Sequence, residues 1–350
     1  MLEKLTVCVD LHGCPNRCRH CFLPHQKNPH LSLETLDYVA EYFKPYTQAF
    51  TLYGYTREPH FHADYDKQTQ REDSLSTHLP KRFELISVYR LVRDKAYIKF
   101  LKTQSIKKAQ ITLFGCEALT DAYTGRPQAF KEIMQAVDLL MTHGICPRFQ
   151  IILTKETLND LPNLKDLLLN TIGPKLTQAS MPLLCFVHTG SPIGNHRQHL
   201  NLWLTDEDIR KIPSFFIEKS KEHFNTESIE DFLGITETTI IKAHSSNENH
   251  VTVKLKEPIF YIDGNLDIYL HMTAYAVYSR LGNLKKDAPN ILIDRYVNEE
   301  VLLMKLAKET PIKTLVKQGE TTNRLFIPED YFFLKLLEYT EKYQTINNEF

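Results

Sequence analysis

The sequence predicts an α/β fold: a partial (β/α)6 barrel over residues 1–204, followed by a smaller α+β domain over residues 205–350. Three observations point there. Short apolar and β-branched runs alternate with stretches of helical periodicity up to about residue 200, as in crossover units that build parallel strands. The alternation then stops, and a capped, proline-cut helix and an Asp-Gly-Asn hairpin replace it. A cysteine-rich loop stands directly after the first strand, and α/β barrels carry their chemistry at the carboxyl ends of strands.

The chain has 350 residues, 42% hydrophobic and 24% charged, as expected of an ordinary globular protein of one large domain or two. A net charge of −1 argues against nucleic acid as a general partner. Met1–Val7 is too short and too charged for a signal peptide, and no apolar run reaches the ~18 residues of a membrane span. A cytoplasmic protein with no membrane partner is expected.

The elements follow in order. Leu5–Leu11 reads as a buried parallel strand. Asp10 and His12 flank its end, where polar groups ordinarily just find partners. Ser32 caps a helix carried by Leu33, Leu36, Val39, Ala40 and Phe43 and stopped by Pro45. Ala49–Tyr53 is the second strand. The polar stretch 60–79 is a surface loop entering a helix, with His60 and His62 facing solvent. Glu84–Tyr89 is the third strand, and a helix follows from Tyr97. Ala109–Gly115 is the fourth strand. Phe130, Ile133, Met134, Val137, Leu140 and Met141 form a helical core stripe closed by Gly144. Arg148–Thr154 is the fifth strand, with Arg148 and Gln150 on one face, lining the cavity or standing at its rim. Met181–His188 is the sixth, its end a cavity edge. Thr205–Asp208 caps the helix cut at Pro213. Val251–Leu255 and Ile259–Tyr269 supply short strands, the second run folded at Asp263-Gly264-Asn265, and the last helix spans Pro328–Tyr343.

The chemistry gathers at Cys14, Cys18 and Cys21, spaced Cys-x3-Cys-x2-Cys. Three thiolates in one short loop can meet at one metal centre, and three ligands leave one corner of an iron–sulfur cube open. A structural zinc completed by His20 or His25 is the competing reading, although zinc motifs usually offer a second Cys or His pair. Cys8, Cys116, Cys146 and Cys185 are scattered singly, and nothing suggests an oxidising compartment.

The loop Gly13–Phe22 resembles the signature of the radical SAM superfamily. The resemblance implies a TIM-like partial barrel, a 4Fe–4S cluster on Cys14, Cys18 and Cys21, and S-adenosylmethionine (SAM) on the open iron. It implies that His20, flanked by Phe22, packs near the adenine; ordinary loop packing is the alternative. Gly54 and Glu58-Pro59 resemble the two ends of the family's Gly-Gly-Glu-Pro motif, with three residues between them. Gly54, Tyr55 and Thr56 would offer backbone contacts to SAM and Glu58 its carboxylate, against the alternative of a plain turn. The run Thr112–Gly115 with Asp121–Phe130 resembles the fourth-strand segment, which makes Thr112 a contact for the SAM ribose or carboxylate. Arg148, Gln150 and His188 complete the expected SAM contacts. Strand, Asp-Gly, strand and then Leu281-Gly282-Asn283-Leu284 is similar to a SPASM or twitch extension. Such extensions carry auxiliary clusters on cysteines, and no cysteine follows Cys185, so here the region would serve as lid or substrate platform.

The implied function is radical chemistry on an unactivated C–H bond of a peptide, driven by a one-electron reductant such as flavodoxin or ferredoxin. A small metabolite or RNA as substrate, and a non-catalytic iron–sulfur or zinc scaffold, are the competing readings. Methyl transfer is disfavoured, because neither a cobalamin-type domain nor an extra cysteine pair is present.

Overall fold

The computed structural model describes residues 1–317 and 321–348. Its strands are β1 (Leu2–Val9), β2 (Thr47–Tyr53), β3 (Lys108–Leu113), β4 (Cys146–Ile152), β5 (Leu184–His188), β6 (Ile235–Thr236), β7 (Ile259–Ile262), β8 (Asp267–Tyr269), β9 (Arg280–Asn283) and β10 (Leu325–Phe326). They form a five-stranded sheet in the order β2-β1-β7-β8-β9, a three-stranded sheet β3-β4-β5 and the short pair β10-β6. β1 runs parallel to both β2 and β7, and β3, β4 and β5 are parallel to one another.

Alternation along each strand sets the layers. In β1, Leu5, Val7 and Val9 are fully buried against helix α1 (Glu34–Phe43). Thr6 and Cys8, pointing the other way, line a central cavity. In β3 and β4, Ile111, Leu113, Phe149 and Ile151 sit in a core shared with helix α6 (Ala129–Thr142), while Gln110, Thr112 and Gln150 face the cavity. Between these two helices the chain forms α2 (Tyr65–Leu75), α3 (Val88–Leu91), α4 (Tyr97–Thr103) and α5 (Glu117–Thr124). The stripe expected on α6 buries Ile133, Val137, Leu140 and Met141, and Gly144 follows its end at φ +78°. The parallel strands β2-β1-β7, extended by antiparallel β8 and β9, and the parallel sheet β3-β4-β5 thus border one cavity from two sides in a mixed α/β fold.

Three expectations are corrected. Glu84–Tyr89 is not a strand. Its one ladder bond runs from the Gln110 amide to the Glu84 carbonyl at 2.9 Å. Ser87 ends the run because its hydroxyl accepts from the Arg90 amide and caps α3, while its own N–H donates to the Tyr97 hydroxyl. The sixth parallel strand bordering the cavity is instead β7, from the last hundred residues, seated on the free edge of β1. Val251–Leu255 is likewise no strand; beside it only a single bridge, His250 to Pro311, forms. His60 does not face solvent. Its Nδ1 lies 2.8 Å from the Tyr97 hydroxyl, and its ring packs among Tyr65, Tyr97 and Phe100.

No helix among the described residues is long and apolar enough to cross a membrane.

Candidate active site

A cavity of about 1140 Å³ lies between the two sheets. Cys14, Cys18 and Cys21 line it together with His20, Tyr55, Thr56, Glu58, Thr112, Gln150 and His188. Ten of the twelve residues singled out in the sequence therefore share one wall space. The other two stand behind it. The Gly54 amide donates to Glu72 Oε1 at 2.8 Å, and a Cβ there would meet the Gln68 side chain. Arg148 pairs with Glu84 at 2.7 Å and donates to Gln110 Oε1 at 2.9 Å.

The cysteine loop has almost no secondary structure of its own and is held from several sides. Its Arg17 and Arg19 amides donate to the carbonyls of Thr124 and Tyr123, at the end of α5. The Asn195 side-chain amide reaches the Cys18 and Arg19 carbonyls, and the His196 amide donates to the Cys21 carbonyl at 3.0 Å. This approach requires Gly194, whose φ is +61° and whose Cβ would meet the Phe22 carbonyl. Asn28 closes the loop, its amide donating to the Cys14 carbonyl at 2.9 Å and its oxygen accepting from the Cys14 N–H at 3.2 Å. Arg57 reaches across from the end of β2, with Nε 2.8 Å from Asp10 Oδ2. Asp10 thus finds a partner, as a polar strand end should.

Sequence reasoning missed Asn28, Arg57, Asn195 and His196. The one signal available was the Gly194-Asn195 pair, a turn dipeptide a few residues beyond the expected cavity edge at the end of the sixth strand.

The electrostatics fit a cationic centre bound by thiolates. Burial pushes all three thiols well above their usual range; the Leu23 amide and then the Arg57 charge pull Cys21 partly back. Iron bound there would supply the positive charge that stabilises buried thiolates. Burial also lifts the Glu58 carboxyl to about 7 against the pull of the Ser87 hydroxyl, the Cys14 thiol and the Arg126 charge. The imidazoles of His20, His188 and His196 are held neutral by burial, their pKa values lowered to about 3, 4 and 4. Nδ1 of His20 and Nε2 of His196 are buried without a protein partner, so polar capacity remains for a ligand.

A lone zinc fits less well. His25 is exposed with Nε2 on the Cys18 carbonyl at 3.1 Å, and His20 leans on Phe114 with ring centroids 4.4 Å apart. Among the described residues no three His, Cys, Asp or Glu side chains converge as ligands of one ion would. A cube spreads its thiolates over separate irons.

Residues 9–168 match the family model of the radical SAM superfamily. The sequence matches no curated protein. Similar solved structures include native anSMEcpe with bound AdoMet, at TM-score 0.52 and 14% identity over 98% of each chain. Native anSMEcpe with AdoMet and Kp18Cys peptide gives TM-score 0.53 and 14% identity, over 99% of this chain and 100% of that one. SuiB of Streptococcus suis bound to precursor peptide SuiA gives TM-score 0.52 and 13% identity, over 93% of this chain and 75% of that one. At such identities the structural likeness speaks for the fold. The match identifies residues 9–168 as a radical SAM domain, of the family that uses a 4Fe–4S cluster and SAM, and the solved structures share the fold.

Proposed function

We propose that the protein performs hydrogen abstraction on a peptide substrate, with Cys14, Cys18 and Cys21 holding the cluster. When bound and reduced by one electron from a donor such as flavodoxin or ferredoxin, the cluster and SAM supply a 5′-deoxyadenosyl radical. The chain's own residues bind and orient. His20, Tyr55, Thr56, Glu58, Thr112, Gln150 and His188 present polar atoms to the cavity, and Gly54 and Arg148 brace them from behind. Glu58, with its raised pKa, sits 3.8 Å from the Cys14 sulfur. Residues 205–350 act as a cluster-free, SPASM-like lid and substrate platform, with β7 forming part of the wall. Such chemistry suits the reducing cytoplasm.

The observation that carries this reading is one cavity joining three cysteines of the N-terminal loop to a wall strand from the C-terminal region. A peptide is favoured over a small metabolite or RNA because structures of the same fold, SuiB and anSMEcpe, are described with peptides bound. The test is anaerobic reconstitution with iron and sulfide, addition of SAM and dithionite, and assay of 5′-deoxyadenosine. The protein should form it above a control with all three cysteines changed to alanine. Equal yields would leave a non-catalytic scaffold.

A further inference from the structure

Residues Tyr55, Thr56 and Arg57 part Gly54 from Glu58, and the third of them has a large set of partners. Arg57 approaches Asp10 Oδ2 through Nε at 2.8 Å and Nη2 at 2.6 Å. Its Nη1 donates to the Gln26 carbonyl and to Asn28 Oδ1, both at 3.1 Å, and Nη2 to the Lys27 carbonyl at 3.4 Å. Asp10 spends its other oxygen on the Gly13 amide at 3.0 Å. One guanidinium therefore ties the end of β1, the loop after β2 and the returning limb of the cysteine loop, and Asn28 carries the tie to Cys14.

The neighbourhood is built around this fork. Gly13 has φ +78°, and a Cβ there would lie 2.2 Å from Asn28 Oδ1 and 2.5 Å from Arg57 Nη2. The Asp10 side chain is 2% exposed and that of Arg57 11%, so the pair is desolvated. Removing one partner strands a buried charge. A lysine ammonium could meet Asp10, but it cannot reach two directions with fixed planar donors.

We propose that Arg57 is a positioning residue for the cluster loop, fixing the three-cysteine segment before iron arrives and placing a permanent positive charge beside it. The inference rests on the cluster reading above, and not on the identity of the substrate. It gives the longer spacing from Gly54 to Glu58 a purpose: it delivers the arginine.

The full chain is reconstituted anaerobically as wild type, Arg57→Lys, Arg57→Gln and Asp10→Asn. Three quantities are read: iron per chain, the rate of iron loss to a ferrous chelator, and the cluster's reduction potential by EPR-monitored titration. Arg57→Lys should release iron about tenfold faster or more, the scale of an outer-shell loss, with little change in potential. Arg57→Gln should release it as fast and also shift the potential downward, since a cation near the cluster is gone. Asp10→Asn, nearly isosteric, should release iron faster and shift the potential upward; it decides the matter if an Arg57 variant fails to fold as the apoprotein by circular dichroism. Release rates within about twofold of wild type in every folded variant would overturn the proposal. A wild-type chain that takes up no iron would instead overturn the cluster reading and this inference with it.

Discussion

The two walls of the cavity satisfy their polar groups in different ways. The β2-β1-β7 wall ends in ion pairs: Asp10 with Arg57 beside the cysteine loop, and the buried Glu72 with the part-exposed Arg82 at 2.7 Å. The β3-β4-β5 wall keeps its ion pair, Arg148 with Glu84, more exposed and behind the cavity, and ends in neutral groups: Thr112 donates to Gln150 Oε1 at 3.2 Å, Gln110 to the same oxygen at 2.6 Å, and the Gln150 amide meets His188 Nε2 at 2.5 Å. Buried ion pairs saturate each other and fix backbone. A neutral ladder leaves lone pairs and rotatable hydroxyls able to change partners when a ligand arrives. The first wall is therefore suited to holding a loop, and the second to meeting a ligand.

The largest effect should come from breaking the first wall. Glu72 is 1% exposed and accepts from the Gly54 amide, the Gln68 side-chain amide and Arg82. Glu72→Ala leaves the Gly54 N–H and the Gln68 amide without their acceptor, and leaves Arg82, 20% exposed, with Asp73 as its remaining carboxylate. Urea unfolding of the apoprotein should show a loss of about 2–4 kcal/mol. A loss below about 1 kcal/mol would mean that the ions are not what fixes this wall.

How much of this was legible in the sequence depends on distance along the chain. The cysteine spacing is local, so the meeting of Cys14, Cys18 and Cys21 at one cavity could be read from eight residues. Strands β1, β2, β3, β4 and β5 were also legible, because alternation and branched side chains are local signals. The partners of the loop were not. Asn195 reaches Cys18 from 177 residues away, and β7 meets β1 across some 250 residues, pairings that no single-sequence pattern encodes. Glu84–Tyr89 misled for a different reason: its apolar residues fit a strand, but Ser87 competes for the backbone as a helix cap. His60 misled because its polar neighbours hide an aromatic pocket formed by Tyr65, Tyr97 and Phe100, two of them more than thirty residues downstream.

That pocket, beside the first wall, gives an intermediate effect with a definite sign. Burial lowers the His60 pKa from 6.5 to about 4, with the charges of Arg82 and Arg90 acting in the same direction. The unfolded chain then takes up a proton before the folded one does. The stability His60 contributes is complete above pH 6.5 and is lost as pH falls toward 4. His60→Gln keeps an acceptor for the Tyr97 hydroxyl and cannot charge. The fall in apoprotein stability between pH 6.5 and 4 should shrink by on the order of 1–3 kcal/mol. His188, on the second wall, has the same lowered value of about 4, so some slope should persist in the variant. An unchanged slope would mean that His60 is already protonated when folded.

The smallest stability effect, and the sharpest test of the contrast, lies at Thr112. Valine has the same shape and lacks the hydroxyl. Gln150 Oε1 keeps its bond from Gln110, so no acceptor is stranded, and Thr112→Val should cost only about 0.5–1 kcal/mol in urea unfolding. If Thr112 meets SAM, the lost hydrogen bond should weaken SAM binding to the reconstituted protein by about 2–10-fold in anaerobic equilibrium dialysis. A variant that binds SAM as wild type does, yet unfolds as readily as Glu72→Ala, would reverse the assignment: the neutral ladder would be the framework, and ligand recognition would have to come from the ionic side.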